Sequence, residues 1–278
     1  MPVRIVQSKQ NARLKELRRA LSNPGRNENG LAGIEGPNLL DEALRAGLRV
    51  ACVFVAQGSE RLLEQMPLPL KAEVLVIPRK LLDSALATDT PQPVAALVEP
   101  PDWTWAHVLA DHKDSAPLIV VLAGLQDPGN LGTIVRSAEA FRVDGVVCLP
   151  GTVNAWNAKA VRASAGSVFR VPLLSAPEEA VFARLRAADV RVLATTVHGA
   201  QPAKFVNLAG PVALLMGNEG NGVPADLIGR ADEAVTIPCP GPVESLNAAV
   251  AASVLLYEAA RQRAARSARL QELSGGMR

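Results

Sequence analysis

Three short stretches after residue 125 place polar residues beside glycine and proline, each at the end of an apolar run. The first is Gln126-Asp127-Pro128-Gly129-Asn130-Leu131-Gly132-Thr133-Ile134-Val135-Arg136-Ser137-Ala138. Pro128 and Gly129 predict a tight turn, Asn130 can cap a helix opened by Leu131, and Arg136 projects from that helix two turns on. The second is Gly217-Asn218-Glu219-Gly220-Asn221-Gly222-Val223-Pro224. Its three glycines let backbone amides approach a ligand closely. No Lys-Ser/Thr pair follows, and the Gly-x-Gly-x-x-Gly order is missing, so it is neither a Walker loop nor a dinucleotide fingerprint. Glu219 would repel a pyrophosphate, which favours a ligand without phosphates or a carboxylate that holds another protein group. The third is Pro238-Cys239-Pro240-Gly241-Pro242-Val243-Glu244-Ser245-Leu246-Asn247. Its prolines exclude helix up to Pro242. Ser245 and Asn247 then open a long apolar helix, where Asn247 is a poor helix former and suggests a local contact. Taken singly, each stretch also reads as ordinary turn or cap chemistry.

The elements between these stretches alternate. Strands are expected over 118–125, 145–149, 168–173, 190–197, 212–216 and 234–237. Helices are expected over 131–141, 157–165, 178–188, after Pro224, and from Glu244 past Tyr257. The run Leu118 to Leu125 is apolar throughout, as in a strand buried on both faces. Such alternation predicts an α/β fold with a mostly parallel sheet and helices on both faces. Ligands bind such sheets beyond the C-terminal ends of the strands, and all three stretches fall there. Before them, residues 1–99 read as a small α/β domain that opens with a basic amphipathic helix from Lys9 to Leu21 and carries a helix over 78–87. Residues 100–116, with Glu99-Pro100-Pro101-Asp102 ahead of a short helix over 103–111 and Lys113-Asp114-Ser115, read as a linker to a domain over 117–278.

Composition narrows the chemistry. Of 278 residues, 49% are hydrophobic and only 3% aromatic, so the core must be aliphatic. The longest apolar stretch, Leu246 to Tyr257, is short of the roughly 20 residues a membrane helix needs. The first residues run into Arg4, Lys9 and Arg13 rather than a leader peptide, so a cytoplasmic protein without membrane contact is expected. Cys52, Cys148 and Cys239 are isolated and form no CxxC pair, and His107, His112 and His198 lack ligand spacing, so no metal site is expected. Residues 1–30 hold seven Lys/Arg against two Glu, a local charge of +5. With Arg261, Arg263, Arg266 and Arg269 at the other end, both termini could meet phosphate.

Together, Asn-x-Gly-x-x-x-Arg-Ser-Ala, Gly-x-Glu-Gly-x-Gly and Ile-Pro with Glu-Ser-Leu-Asn resemble the three motifs of the SpoU (TrmH) branch of the SPOUT RNA methyltransferases, over residues 118–263. Gly33-Ile34-Glu35-Gly36-Pro37-Asn38-Leu39-Leu40 with Glu42-Ala43 is similar to that family's ribosomal-protein-like substrate-binding domain. The resemblance implies transfer of a methyl group from S-adenosylmethionine to a ribose 2′-hydroxyl in structured RNA. It also implies a C-terminal trefoil knot and a homodimer with the active site at its interface. Catalytic positions would be Asn130, Arg136, Glu219, Ser245 and Asn247. Cofactor contacts would fall on Thr195, Met216, Gly217, Asn218, Gly220, Ile237, Pro238, Ser245, Leu246 and Asn247. The prolines on both sides of Gly241 depart from the family's looser loop. By the same analogy, large-subunit ribosomal RNA is the expected partner, rather than DNA.

Arginine is effectively always protonated, so Arg136 suits clamping a phosphate or stabilising a developing alkoxide better than removing a proton. Three alternatives stand beside this reading. The first is transfer RNA as substrate, and the second an RNA-binding protein without catalysis. The third, a nucleotide-cofactor oxidoreductase, is disfavoured by the missing dinucleotide fingerprint.

Overall fold

The computed structural model describes residues 3–86, 88–110 and 116–275, with side chains to Arg269. Ala87, at the end of the helix expected over 78–87, and Asp111 with Lys113-Asp114-Ser115 of the expected linker lie outside the described residues. In chain order, the first elements are β1 (Val3–Ile5), α1 (Ala12–Ser22), β2 (Ala32–Glu35), α2 (Pro37–Arg45), β3 (Val50–Ala56), β4 (Glu73–Ile77), α3 (Arg79–Asp83) and β5 (Val94–Val98). Then come α4 (Trp105–Val108), β6 (Leu118–Leu122), α5 (Pro128–Ala140), β7 (Gly145–Cys148), α6 (Ala158–Ala163), β8 (Leu173–Ser175), α7 (Glu178–Ala187), β9 (Arg191–Thr195), β10 (Gln201–Pro202), β11 (Val212–Met216), α8 (Ala225–Ile228), β12 (Glu233–Thr236) and α9 (Ala248–Gly275). They form two compact units, residues 1–102 with 154–170, and residues 103–153 with 171–278.

The first unit is built on a mixed sheet in the order β1-β4-β3-β5-β2. α1 covers it with Leu14, Leu17 and Leu21, whose spacing puts them on one stripe. Asn11 caps that helix by accepting from the Leu14 amide at 3.2 Å. The excess positive charge of this end is partly spent inside the unit. Arg13 pairs with Glu16 at 2.8 Å and Glu73 at 3.2 Å, Arg4 with Glu73 at 3.6 Å, and Arg26 with Asp102 at 3.2 Å. Lys9, Lys15, Arg18 and Arg19 keep no such partner among the described residues.

The segment 154–170 joins this unit through α6, whose Ala158 packs against the core under the sheet. Ala160, Val161, Val168 and Phe169 are buried, and α6 packs on β2. Gly166 is held at φ +87°, and a Cβ there would lie 2.7 Å from that of Glu42. A glycine is therefore required on two counts. Arg170 closes the segment on Glu42 at 2.7 Å. Residues 168–173, expected as strand, instead form a tight turn at Ser167–Phe169 before the short β8. Pro172 and the left-handed Gly166 leave no room for a longer strand.

The second unit holds a seven-stranded sheet, β10-β12-β9-β11-β6-β7-β8, in which every pairing is parallel. β6 and β11 lie at its centre with every residue buried. Leu122 pairs with Met216, and Val235 with Thr195. The loops that follow β6, β11, β9 and β12 therefore start side by side on four neighbouring strands. Two helix starts differ from the sequence expectation. Asp127 caps α5, with Oδ1 accepting from the Asn130 amide at 2.8 Å and Pro128 in the first turn, so the Asn130 side chain is released from capping. α9 starts at Ala248, not Glu244, because Asn247 is its cap and accepts from the amides of Ala249 (2.9 Å) and Val250 (3.3 Å).

The arginines of α9 are also committed. Arg263 donates to the carbonyls of Leu208 (3.2 Å), Pro117 (3.1 Å), Gly210 (2.7 Å) and Ala116. It thus gathers the chain where it enters β6 and β11. Burial pushes its pKa below the usual guanidinium value, against the opposing charge of Asp144. Arg261 pairs with Glu258 on its own helix, and Arg266 reaches the Ala209 carbonyl at 3.2 Å. Of the four basic residues expected to meet phosphate, only Arg269 is left without a partner among the described residues. Replacing Arg263 with Met strands several buried carbonyls, so it should cost about 2–4 kcal/mol in denaturant unfolding. Arg269→Ala should stay within about 0.5 kcal/mol.

Candidate active site

The loops after β6, β11 and β12 are tied by one chain of hydrogen bonds. Asn130 donates through Nδ2 to Glu219 Oε1 at 2.8 Å and accepts through Oδ1 from Asn247 Nδ2 at 3.0 Å. Glu219 also accepts from the backbone amides of Asp127 (3.4 Å) and Gln126 (3.5 Å). Burial alone would raise the pKa of this carboxyl. The hydrogen bonds from Asn130 and from the amides of Glu219, Gln126 and Asp127 outweigh it and hold the group below the usual carboxylate range. Glu219 is therefore an ionised acceptor at neutral pH and a weak base.

The glycine loop itself is a tight hairpin. Asn218 and Gly222 exchange backbone hydrogen bonds at 3.1 and 3.2 Å, and the Asn218 side chain accepts from the amides of Gly220 and Asn221. Gly217 packs against its far limb. A Cβ on Gly217 would lie 1.9 Å from the Gly222 carbonyl carbon and 2.1 Å from the Val223 nitrogen. No side chain fits there without moving backbone.

Below this hairpin opens a cavity of about 920 Å³. Met216, Val235, Ile237, Leu246 and Leu255 supply apolar wall, and the loop backbones supply polar edges. Its lining includes the carboxylates Glu219 and Glu244 and the imidazole of His198, and among the described residues no Lys or Arg. That composition disfavours phosphates. It suits a neutral nucleoside joined to a cationic group, as in S-adenosylmethionine.

Of the residues expected at the cofactor, Thr195, Met216, Gly217, Asn218, Gly220, Ile237, Pro238, Ser245, Leu246 and Asn247 all line this cavity. Glu219 lines it as well, while Asn130 meets it through Glu219 and Asn247. Arg136 stands on the exposed face of α5 and forms no hydrogen bond or ion pair among the described residues. Ser245 is exposed on the loop ahead of α9. Sequence reasoning passed over Thr196, Val197 and His198, which follow β9 at the same edge, together with Cys239 and Glu244. The rule that parallel sheets bind ligands beyond their strand ends pointed to the residues after Thr195. Glu244 stands within the Glu-Ser-Leu-Asn motif, with no role of its own implied there.

Comparison with known proteins agrees with this geometry. The chain matches the SpoU rRNA Methylase family over residues 117–257 and an MRM3-like substrate binding domain over residues 11–96. It is 30% identical to the 23S rRNA (guanosine(2553)-2′-O)-methyltransferase RlmP of Bacillus subtilis, over 91% of this chain and 97% of the relative. The crystal structure of an AdoMet-bound rRNA methyltransferase from Sinorhizobium meliloti superposes with a TM-score of 0.79 at 31% identity, covering 93% of this chain and 98% of that one. The SpoU methyltransferase AviRb from Streptomyces viridochromogenes, in complex with AdoMet, superposes at 0.76 with 27% identity, covering 91% and 98%. Fold and cavity define an S-adenosylmethionine-dependent RNA methyltransferase. The chain belongs to the SpoU rRNA methylase family.

Two outcomes test the loop assignments. Gly217→Ala should abolish measurable cofactor binding in calorimetry while the protein remains folded. Glu219→Gln should change the pH dependence of stability. Because the folded pKa is lowered, the native carboxylate adds stability above the ordinary carboxyl pKa of about 4.3, and this is lost as pH falls through the lower folded value. The difference in unfolding free energy between pH 7 and pH 3 should shrink in the variant.

Proposed function

We propose that the chain transfers the methyl group of S-adenosylmethionine to a ribose 2′-hydroxyl of ribosomal RNA. The observation that carries this reading is the hydrogen-bond chain Glu219–Asn130–Asn247, which joins the three motif segments over a cavity lined, among the described residues, by carboxylates and by no Lys or Arg. The B. subtilis relative, named for 2′-O methylation of 23S rRNA, supports the substrate. When bound, the cofactor supplies a methyl group already activated by a sulfonium charge.

The residues of this chain then position and stabilise. Gly217, Ile237, Leu246 and their neighbours hold the cofactor mainly through backbone. Asn130 and Glu219 fix the angle between the loops after β6 and β11, and Asn247 fixes α9 to both. Arg136, with its guanidinium uncommitted, clamps a phosphate next to the target nucleotide or stabilises the alkoxide as it forms. Ser245, exposed near the end of the loop between β12 and α9, orients the incoming ribose.

We also propose that the protein acts as a cytoplasmic homodimer with a knotted second unit. Val250, Val254 and Tyr257 are 49, 40 and 59% exposed, and their spacing places them on one face of α9. Tyr257 meets Phe141, at the end of α5, edge-on at 6.2 Å. This apolar stripe on the helix packed against that of Arg136 supports a second copy contributing to the site. The insertion of β11 between β6 and β9 supports the knot.

The test is transfer of labelled methyl to RNA fractionated into ribosomal and transfer pools, followed by alkaline hydrolysis, which a 2′-O-methyl blocks at the modified nucleotide. Label only in base-hydrolysable positions would overturn the ribose assignment. Arg136→Ala should lower transfer at least about 100-fold with cofactor affinity unchanged. Arg136→Lys should restore little, since a point charge cannot reproduce the planar fork. RNA affinity is expected to depend on the uncommitted Lys15, Arg18 and Arg19 of α1. Replacing all three with Ala should flatten the slope of log affinity against log salt by about 2, at roughly 0.7 per single-strand phosphate contact.

A further inference from the structure

Glu219 is occupied by Asn130 and by backbone amides, which leaves Glu244 as the other carboxylate lining the cofactor cavity. Glu244 is exposed on the loop between Pro242 and the start of α9, and no hydrogen bond or ion pair engages it among the described residues. Among the described residues no Lys or Arg lines the same cavity to balance it. Within the described residues this carboxylate holds no other group of the chain. Its Coulomb energy depends on the charge of whatever enters.

We propose that Glu244 is a specificity-determining residue that reads the sulfonium charge of the cofactor, favouring the methyl donor over the demethylated product. The proposal rests on S-adenosylmethionine being the ligand of this cavity. Transfer breaks the sulfur–methyl bond, and the sulfur keeps the bonding pair and becomes a neutral thioether. A new carbon–oxygen bond forms on the ribose, whose proton leaves to solvent. The donor carries a net charge of +1 and the product none. Glu244 therefore loses its cationic counterpart in the step that ends the reaction, which weakens retention of the product and speeds turnover. Lone hydrogen bonding to the amino group would act equally on both ligands, so a charge series separates the two roles.

The experiment measures affinities of the full-length protein for S-adenosylmethionine, S-adenosylhomocysteine and sinefungin, an analogue with an amine in place of the sulfonium. It compares the wild type with Glu244→Gln and Glu244→Asp by calorimetry at low and high salt. In Glu244→Gln the two cationic ligands should weaken roughly three- to tenfold and the neutral product by less than twofold. The gap should narrow at high salt, as expected of an exposed charge, and Glu244→Asp should keep most of the wild-type preference. Equal weakening of all three ligands, or no weakening of any, overturns the proposal while leaving the cofactor assignment intact. Failure of the wild type to bind any of them overturns both.

Discussion

The site depends on a single three-residue relay of hydrogen bonds, Glu219–Asn130–Asn247. Each member lies in the segment that follows a different strand of one parallel sheet, Asn130 in the first turn of α5 and the other two on loops, and the register Leu122–Met216 sets the ends of β6 and β11 side by side. The Asn130 link is strongest when its acceptor is ionised. The surrounding amides secure this by pulling the Glu219 carboxyl below its usual range. Mutual dependence follows, since the loop that forms the cavity roof is fastened by a residue of the helix that carries Arg136. Cofactor site and candidate catalytic arginine are thereby set by the same contacts.

The motif residues were legible because their signals are local. Glycine density at Gly217–Gly222, proline around Gly241 and polar residues at the ends of apolar runs all arise within a few positions. The all-parallel sheet was legible for a similar reason, since strands buried on both faces leave unbroken apolar runs such as Leu118–Leu122. Cap competition was not legible. Asp127 and Asn130 are both good caps, and only the fold shows that Asp127 takes the role and frees Asn130 for the site. The same competition moved the start of α9 to Ala248, because Asn247 serves outside the helix rather than within its first turn.

Charge counts misled for a different physical reason. A guanidinium has five donors and can satisfy several carbonyls at once. Arg263 does so at the entry to β6 and β11, and Arg13, Arg26 and Arg261 pair within the protein. Formal charge therefore overstates what is left for a polyanion. On α1 the remainder is concentrated on its outward face, where Lys15 and Arg19 are exposed.

The allocation of residues 154–170 to the first unit bears on how the chain is made. The sheet that receives α6 is complete at Val98, and 170 − 102 = 68 further residues must emerge from the ribosome before that unit is whole. At roughly 5–20 residues per second this is a delay of about 3–14 s. During that interval the β2 face that receives α6 is uncovered, while β6, α5 and β7 have already appeared. Vectorial synthesis therefore cannot finish one unit before starting the other. The order of emergence interleaves them, and nascent-chain helpers or pauses would act most strongly between about residues 102 and 170.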